Sequence, residues 1–99
     1  MNDQLPPGTV LTGTSPEFSA DDLPPALARE HRTADGVYGL LCVKAGTLDY
    51  VRAADPDAPV ALAAGDRHVI PPGEVHRVVL GAGARFCVEF HRLGGDACS

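Results

Sequence analysis

From Val37 onward the chain is a string of short apolar or alternating runs: "VYGLLCVKAG", "TLDYVRA", "PVALAAG", "RHVIPP", "VHRVVL" and "RFCVEFHRL". Turn residues separate them at Ala45-Gly46, Asp55-Pro56-Asp57, Gly65-Asp66, Pro71-Pro72-Gly73 and Gly81-Ala82-Gly83. Runs of this length suit strands and are too short to show a helical apolar face. Their regular spacing, with turn chemistry between them, predicts a small all-β barrel of about seven or eight strands. Helix signals are few. "SADDLPPALAREH" opens with the capping-type residues Ser19 and Asp22, but Pro24 and Pro25 limit it to a short helix or 3₁₀ turn.

With 99 residues the chain is expected to be one domain: an N-terminal arm over 1–25, the barrel over 26–93 and a short tail over 94–99. Aromatics make up 5% and tryptophan is absent, so Val, Leu and Ala must fill the interior. So small a core gains from burying more surface in an oligomer, which makes a homodimer the expectation. The net charge of −5, with no basic cluster longer than a pair, argues against nucleic acid and anionic membrane as partners. The opening "MNDQLPPGTVLTGTSPEF" has neither the basic nor the apolar region of a signal peptide. No apolar run reaches the roughly 18 residues of a membrane span. Cys42, Cys87 and Cys98 are odd in number and lack C-x-x-C spacing, so they read as reduced thiols of a cytoplasmic protein. Cys42 and Cys87 read as small core residues and Cys98 as exposed.

Alternation assigns faces. In "VHRVVL" the arginine Arg77 belongs outside, so His76 points inward with Val78 and Leu80. In "RFCVEFHR" two arrangements stand. Either Phe86, Val88 and Phe90 form the core and Glu89 is exposed, or Glu89, which shares its face with Cys87 and His91, lines a cavity and the phenylalanines pack against a second sheet or subunit. The Pro-Pro-Gly turn just before His76 sets the entry of its strand rigidly, as a pre-oriented ligand requires and as an ordinary turn also provides.

The spacing Gly65-x5-Pro71-x-Gly73-x2-His76 resembles the second motif of the cupin superfamily, G-x5-P-x-G-x2-H-x3-N, with Leu80 in place of the terminal Asn. The first cupin motif is not matched: Gly39 stands where its glutamate would be, and there is no H-x-H pair. A lone His31 remains in "REHRTADGVYG". "LPPG" at 5–8, "TSPEF" at 14–18, "LPPALAREHRTADGVYG" at 23–39, "PPGEVHRV" at 71–78 and "FCVEF" at 86–90 together resemble the cupin-like domain of TehB N-terminal and YeaR-like proteins.

That resemblance implies a jelly-roll barrel of the double-stranded β-helix type and a divalent metal held by His31 and His76, with Glu89 as third ligand. Read from the residues alone, His31 is an exposed loop histidine, and Glu89 pairs with Arg85 or Arg92 on a solvated face. His91 is a candidate at the barrel rim, His68 reads as surface-side, and Tyr38 and Arg32 are candidate pocket residues. Two histidines and a carboxylate suit Zn²⁺ or Fe²⁺ with open coordination positions. The resemblance further implies a small-molecule or oxyanion ligand and a role in tellurite or related chemical stress. Three functions stay open: a binding module, a metal-dependent oxygenase, isomerase or lyase, and a barrel whose histidines are structural.

Overall fold

The computed structural model describes residues 4–23 and 32–93. Eight strands form in chain order: β1 Thr9–Thr14, β2 Phe18–Ser19, β3 Val37–Ala45, β4 Thr47–Arg52, β5 Asp55–Ala63, β6 Arg67–Ile70, β7 His76–Leu80 and β8 Arg85–Leu93. They make two antiparallel sheets. The larger runs β1-β8-β3-β6, with β2 also paired to β8, and the smaller runs β5-β4-β7. Among the described residues there is no helix, and none long and apolar enough to cross a membrane. Ser19 and Asp22 close a turn instead: the Ser19 N–H donates to Asp22 Oδ1 at 2.6 Å, and the Asp22 N–H to the Ser19 carbonyl at 3.3 Å. The remainder of that expected helical stretch, Pro24 to His31, lies outside the described residues, as does Cys98.

The two sheets face each other across one apolar layer. Leu41 and Val43 of β3, Leu48 and Tyr50 of β4, Leu62 of β5, Ile70 of β6, Val78 of β7 and Phe86 and Val88 of β8 fill it. A second, smaller cluster lies on the outer face of the larger sheet, where Leu40, Cys42, Val69 and Cys87 are packed against Leu5 and Tyr38. β3 is therefore buried on both faces. This accounts for the unbroken apolar run "VYGLLCV", which shows no two-residue alternation.

Two expectations about the elements are corrected. The N-terminal arm is part of the sheet, because β1 and β2 both pair with β8. The expected turn at Asp55-Pro56-Asp57 falls at residues 53 and 54, and Arg52 pairs with Asp55 directly. Pro56 is tolerated within β5 because that strand is the edge of its sheet, where a missing N–H breaks no ladder.

Candidate metal centre at the end of the barrel

The turn of Pro71, Pro72 and Gly73 connects β6 to β7. Gly73 takes φ +76°, a conformation that favours glycine, and the Glu74 N–H donates to the Pro71 carbonyl at 3.3 Å. The chain then enters β7 with His76 turned inward and 4% exposed, as the alternation predicts. Glu74 clamps the site twice. Its backbone carbonyl accepts the His76 Nδ1–H at 2.9 Å, and its carboxylate accepts the Tyr50 hydroxyl at 2.5 Å. The Tyr50 ring stacks on His76 at 5.0 Å between centroids and lies tilted against His68 at 4.5 Å. Burial, and then the bond to Glu74, pushes the Tyr50 phenol well above its ordinary range, so the phenol stays protonated and remains a donor.

His68 is a correction. It is buried at 8% exposure, on the inner face with Ile70, and not at the surface. The signal was in the sequence: in "RHVI" Arg67 belongs outside for the same reason as Arg77, which sends His68 inward. Burial is the main cause that holds His68 below the ordinary imidazole range; the Glu74 carboxylate opposes it, and the nearby Arg52 and His76 act in the same direction as burial. This has a consequence for stability. The unfolded chain takes up the His68 proton near pH 6.5, whereas the folded chain does so only at lower pH. Below about pH 6.5 the unfolded state thus binds more protons, and stability falls as pH falls. Metal-free protein is expected to lose melting temperature from about pH 7.5 to about 5.5, with a shallower slope in His68→Gln. Equal slopes would remove His68 as the cause.

Arg52 completes this end of the barrel. It stands directly opposite His76 in the β4–β7 register, and its Nε is buried without a hydrogen-bond partner among the described residues. One terminal nitrogen reaches Asp55 at 3.4 Å. A buried N–H without an acceptor is costly, and a guanidinium N–H bonds most strongly to an anionic acceptor.

Glu89 does not join His76. The fillers of the space between the sheets are Phe86 and Val88, with Phe90 packed against them, and the two-residue period then turns Glu89 to the outer face opposite Leu40. Of the two arrangements open for β8, the phenylalanine core is the one found. The partner of Glu89 is His91, whose Nε2 lies 3.0 Å from Glu89 Oε1. Arg85 pairs with Glu17 at 2.7 Å. His91 shares the outer face with Glu89 and is buried, not exposed at a rim. Tyr38 is half-buried against the outer cluster. Arg32 is exposed beside a surface cavity that Phe90 and Arg92 also line. His31 lies outside the described residues.

His76 fits the role of a metal ligand. A ligating histidine characteristically donates its second ring N–H to a carbonyl, which leaves the other nitrogen as the lone-pair donor, and Glu74 provides that carbonyl. Among the described residues no group of three His, Cys, Asp or Glu side chains is arranged to hold an ion. At Gly39, the position of the missing cupin glutamate, a side chain would meet Ile70 Cδ1 at 3.1 Å and Val88 Cγ1 at 3.3 Å. Apolar packing has taken that ligand's space.

Comparison with known proteins agrees with this architecture. A model of the TehB-like domain matches residues 14–88. No curated protein sequence matches. A protein from E. coli (strain K12) superposes with a TM-score of 0.83 at 24% identity, over 93% of this chain and 98% of that one. TehB from Haemophilus influenzae superposes with a TM-score of 0.78 at 22% identity, over 88% of this chain but only 32% of that one. A cupin-2 domain containing protein from Shewanella frigidimarina gives 0.53 at 23% identity, over 82% of this chain and 64% of that one. The likenesses to solved structures establish the fold, and the family model matches well over half of the sequence: the chain belongs to the TehB-like domain family, on a cupin-type β-barrel.

Proposed function

We propose that this domain binds a small oxyanion or other anionic molecule at a divalent metal site in the end of the barrel, as part of a response to tellurite or related chemical stress. The observation that carries the reading is the pairing of His76, buried and clamped by Glu74, with the buried and unpartnered Nε of Arg52 across the strand. His76 and His31 hold the metal in this proposal. His68 stands alongside as a further imidazole, and Glu89 is left out because it faces the other side of β8. A bound Zn²⁺ or Fe²⁺ would supply a Lewis-acid centre with open positions for an oxygen of the ligand. Tyr50 orients His76 through ring stacking, and Arg52 donates to the ligand's negative charge.

Elemental analysis of untagged protein tests this. Wild type is expected to carry near-stoichiometric metal, and His76→Ala and His31→Ala to lose it while their far-UV circular dichroism stays that of the β fold. Arg52→Gln should keep the metal and weaken oxyanion binding at least tenfold, the scale of one lost charge-assisted hydrogen bond. A wild type that is metal-free and refuses added Zn²⁺, Fe²⁺, Mn²⁺ and Ni²⁺ would sink the proposal.

A further inference from the structure

We infer that Cys42 and Cys87 form a dithiol site on the outer face of the larger sheet, which captures one soft, thiophilic centre of the trivalent arsenical class between its two sulfurs. The residues are direct partners in the β3–β8 register, so their side chains rise from the same face of neighbouring strands. Both are free thiols and nearly buried, at 5% and 8% exposure. The site faces away from the layer that holds His76, so it is independent of the proposed metal centre.

Backbone geometry decides between a bridged pair and a disulfide. The Val43 N–H donates to the Asp66 carbonyl, and the Val43 carbonyl accepts from the Gly65 N–H, each at 3.0 Å. Val43 therefore addresses the β6 side, and alternation turns the backbone of Cys42 toward β8. On the other strand, the Val88 carbonyl accepts from the Ser15 N–H at 2.8 Å, and the Val88 N–H donates to Ser15 Oγ at 2.9 Å. Cys87 is thus turned toward β3. The two cysteines form a hydrogen-bonded antiparallel pair, the wider of the two kinds. Their Cβ atoms then stand at the upper end of the range, about 5.5 Å apart, whereas a disulfide needs about 3.5–4.5 Å. A bridging atom bonded at about 2.3 Å to each sulfur spans up to about 4.6 Å between sulfurs, so it fits without moving the strands.

The surroundings suit such an occupant. Cys42 lines a cavity of about 540 Å³ together with Lys44, Asp66, Arg67 and Glu89, which provides a way in. Leu40 and Val69 form an apolar wall beside the sulfurs. Arg67, the β6 partner of Cys42, lines the same cavity, and its positive charge offsets negative charge that gathers on sulfur, while the Cys42 thiol donates to the Leu40 carbonyl at 3.5 Å. Burial first, then Glu89 and Cys87, pushes the Cys42 thiol up, so it stays protonated and slow toward one-point reagents. Among the described residues no third ligand closes a set, which disfavours a tetrahedral ion and leaves a two-sulfur centre. The capture is a condensation: R–As=O and two thiols give R–As(S–Cys)₂ and water. Two As–S bonds form, the As=O bond breaks, both thiol hydrogens leave in the water, and no oxidant is consumed.

Phenylarsine oxide is the probe, used on full-length protein carrying Cys98→Ser and followed by native mass spectrometry in excess glutathione. The folded protein is expected to hold one phenylarsenic unit with the loss of two hydrogens. That adduct should resist glutathione, be released by a small dithiol, and be lost in Cys42→Ala and in Cys87→Ala. Urea should also make it labile to glutathione, because unfolding separates the thiols by a long loop; this comparison stands even if a variant fails to fold. An adduct that survives in either single variant overturns the inference, as does one that forms only in urea. Ready closure to a disulfide with diamide in the folded state would overturn it as well.

Discussion

Tyr50→Ala lowers the unfolding free energy by about 3–5 kcal/mol, the range for truncating a large buried aromatic. Tyr50 is fully buried, at 0% exposure, and packs in the main core while its ring also touches His68 and His76. Truncation removes the packing of both histidines and leaves the Glu74 carboxylate without its donor. Domains of this size are stable by only about 5–15 kcal/mol, so the loss should lower the melting temperature by on the order of 20 °C. Tyr50→Phe separates the two contributions. It keeps the ring and removes only the hydroxyl, at a cost of about 1 kcal/mol. Urea unfolding of both variants gives the comparison; a Phe variant as unstable as the Ala variant would show that the Glu74 bond, and not packing, dominates.

Gly46→Ala destabilises by about 3 kcal/mol or more, through strain and collision together. Gly46 is the single residue between β3 and β4, with φ +66°. A Cβ there would lie 2.7 Å from the Ala82 carbonyl oxygen, from the Ala84 nitrogen and from the Gly83 carbonyl carbon. These are backbone atoms, which cannot rotate away, so the β7–β8 turn must move. Gly83 provides the control. Its φ is +67°, almost the same, but a Cβ there meets nothing within 4 Å. Gly83→Ala therefore reports backbone strain alone, about 1–2 kcal/mol. The difference between the two variants in urea unfolding measures the collision, and equal losses would mean that the turn yields freely.

Much of the fold was legible because the two-residue period of a strand is strict. Once Arg77 is assigned to solvent, His76 must point inward, and the same step applied to Arg67 places His68 beside it. β8 resisted this treatment: Phe86, Val88 and Phe90 alternate with Cys87, Glu89 and His91, and each set has a credible inside. β1 and β2 carry short polar runs that read as an arm. They become strands because β8 offers them an edge. Nothing local marks the turn after Arg52 either, since Ala53 and Ala54 lack turn chemistry and Asp55-Pro56-Asp57 has it in abundance.

The chain by itself determined the all-β class, most of the turns, the inward direction of His76 and the family resemblance, since these rest on spacing, periodicity and backbone restriction, which are local. Only the tertiary structure decided which face of β8 is the core, that Glu74 clamps both His76 and Tyr50, and that the Nε of the half-buried Arg52 is sequestered beside them. It also decided that Cys42 stands opposite Cys87. Those outcomes depend on strand register and on which sheet covers which face, and both are set by packing between residues far apart in sequence.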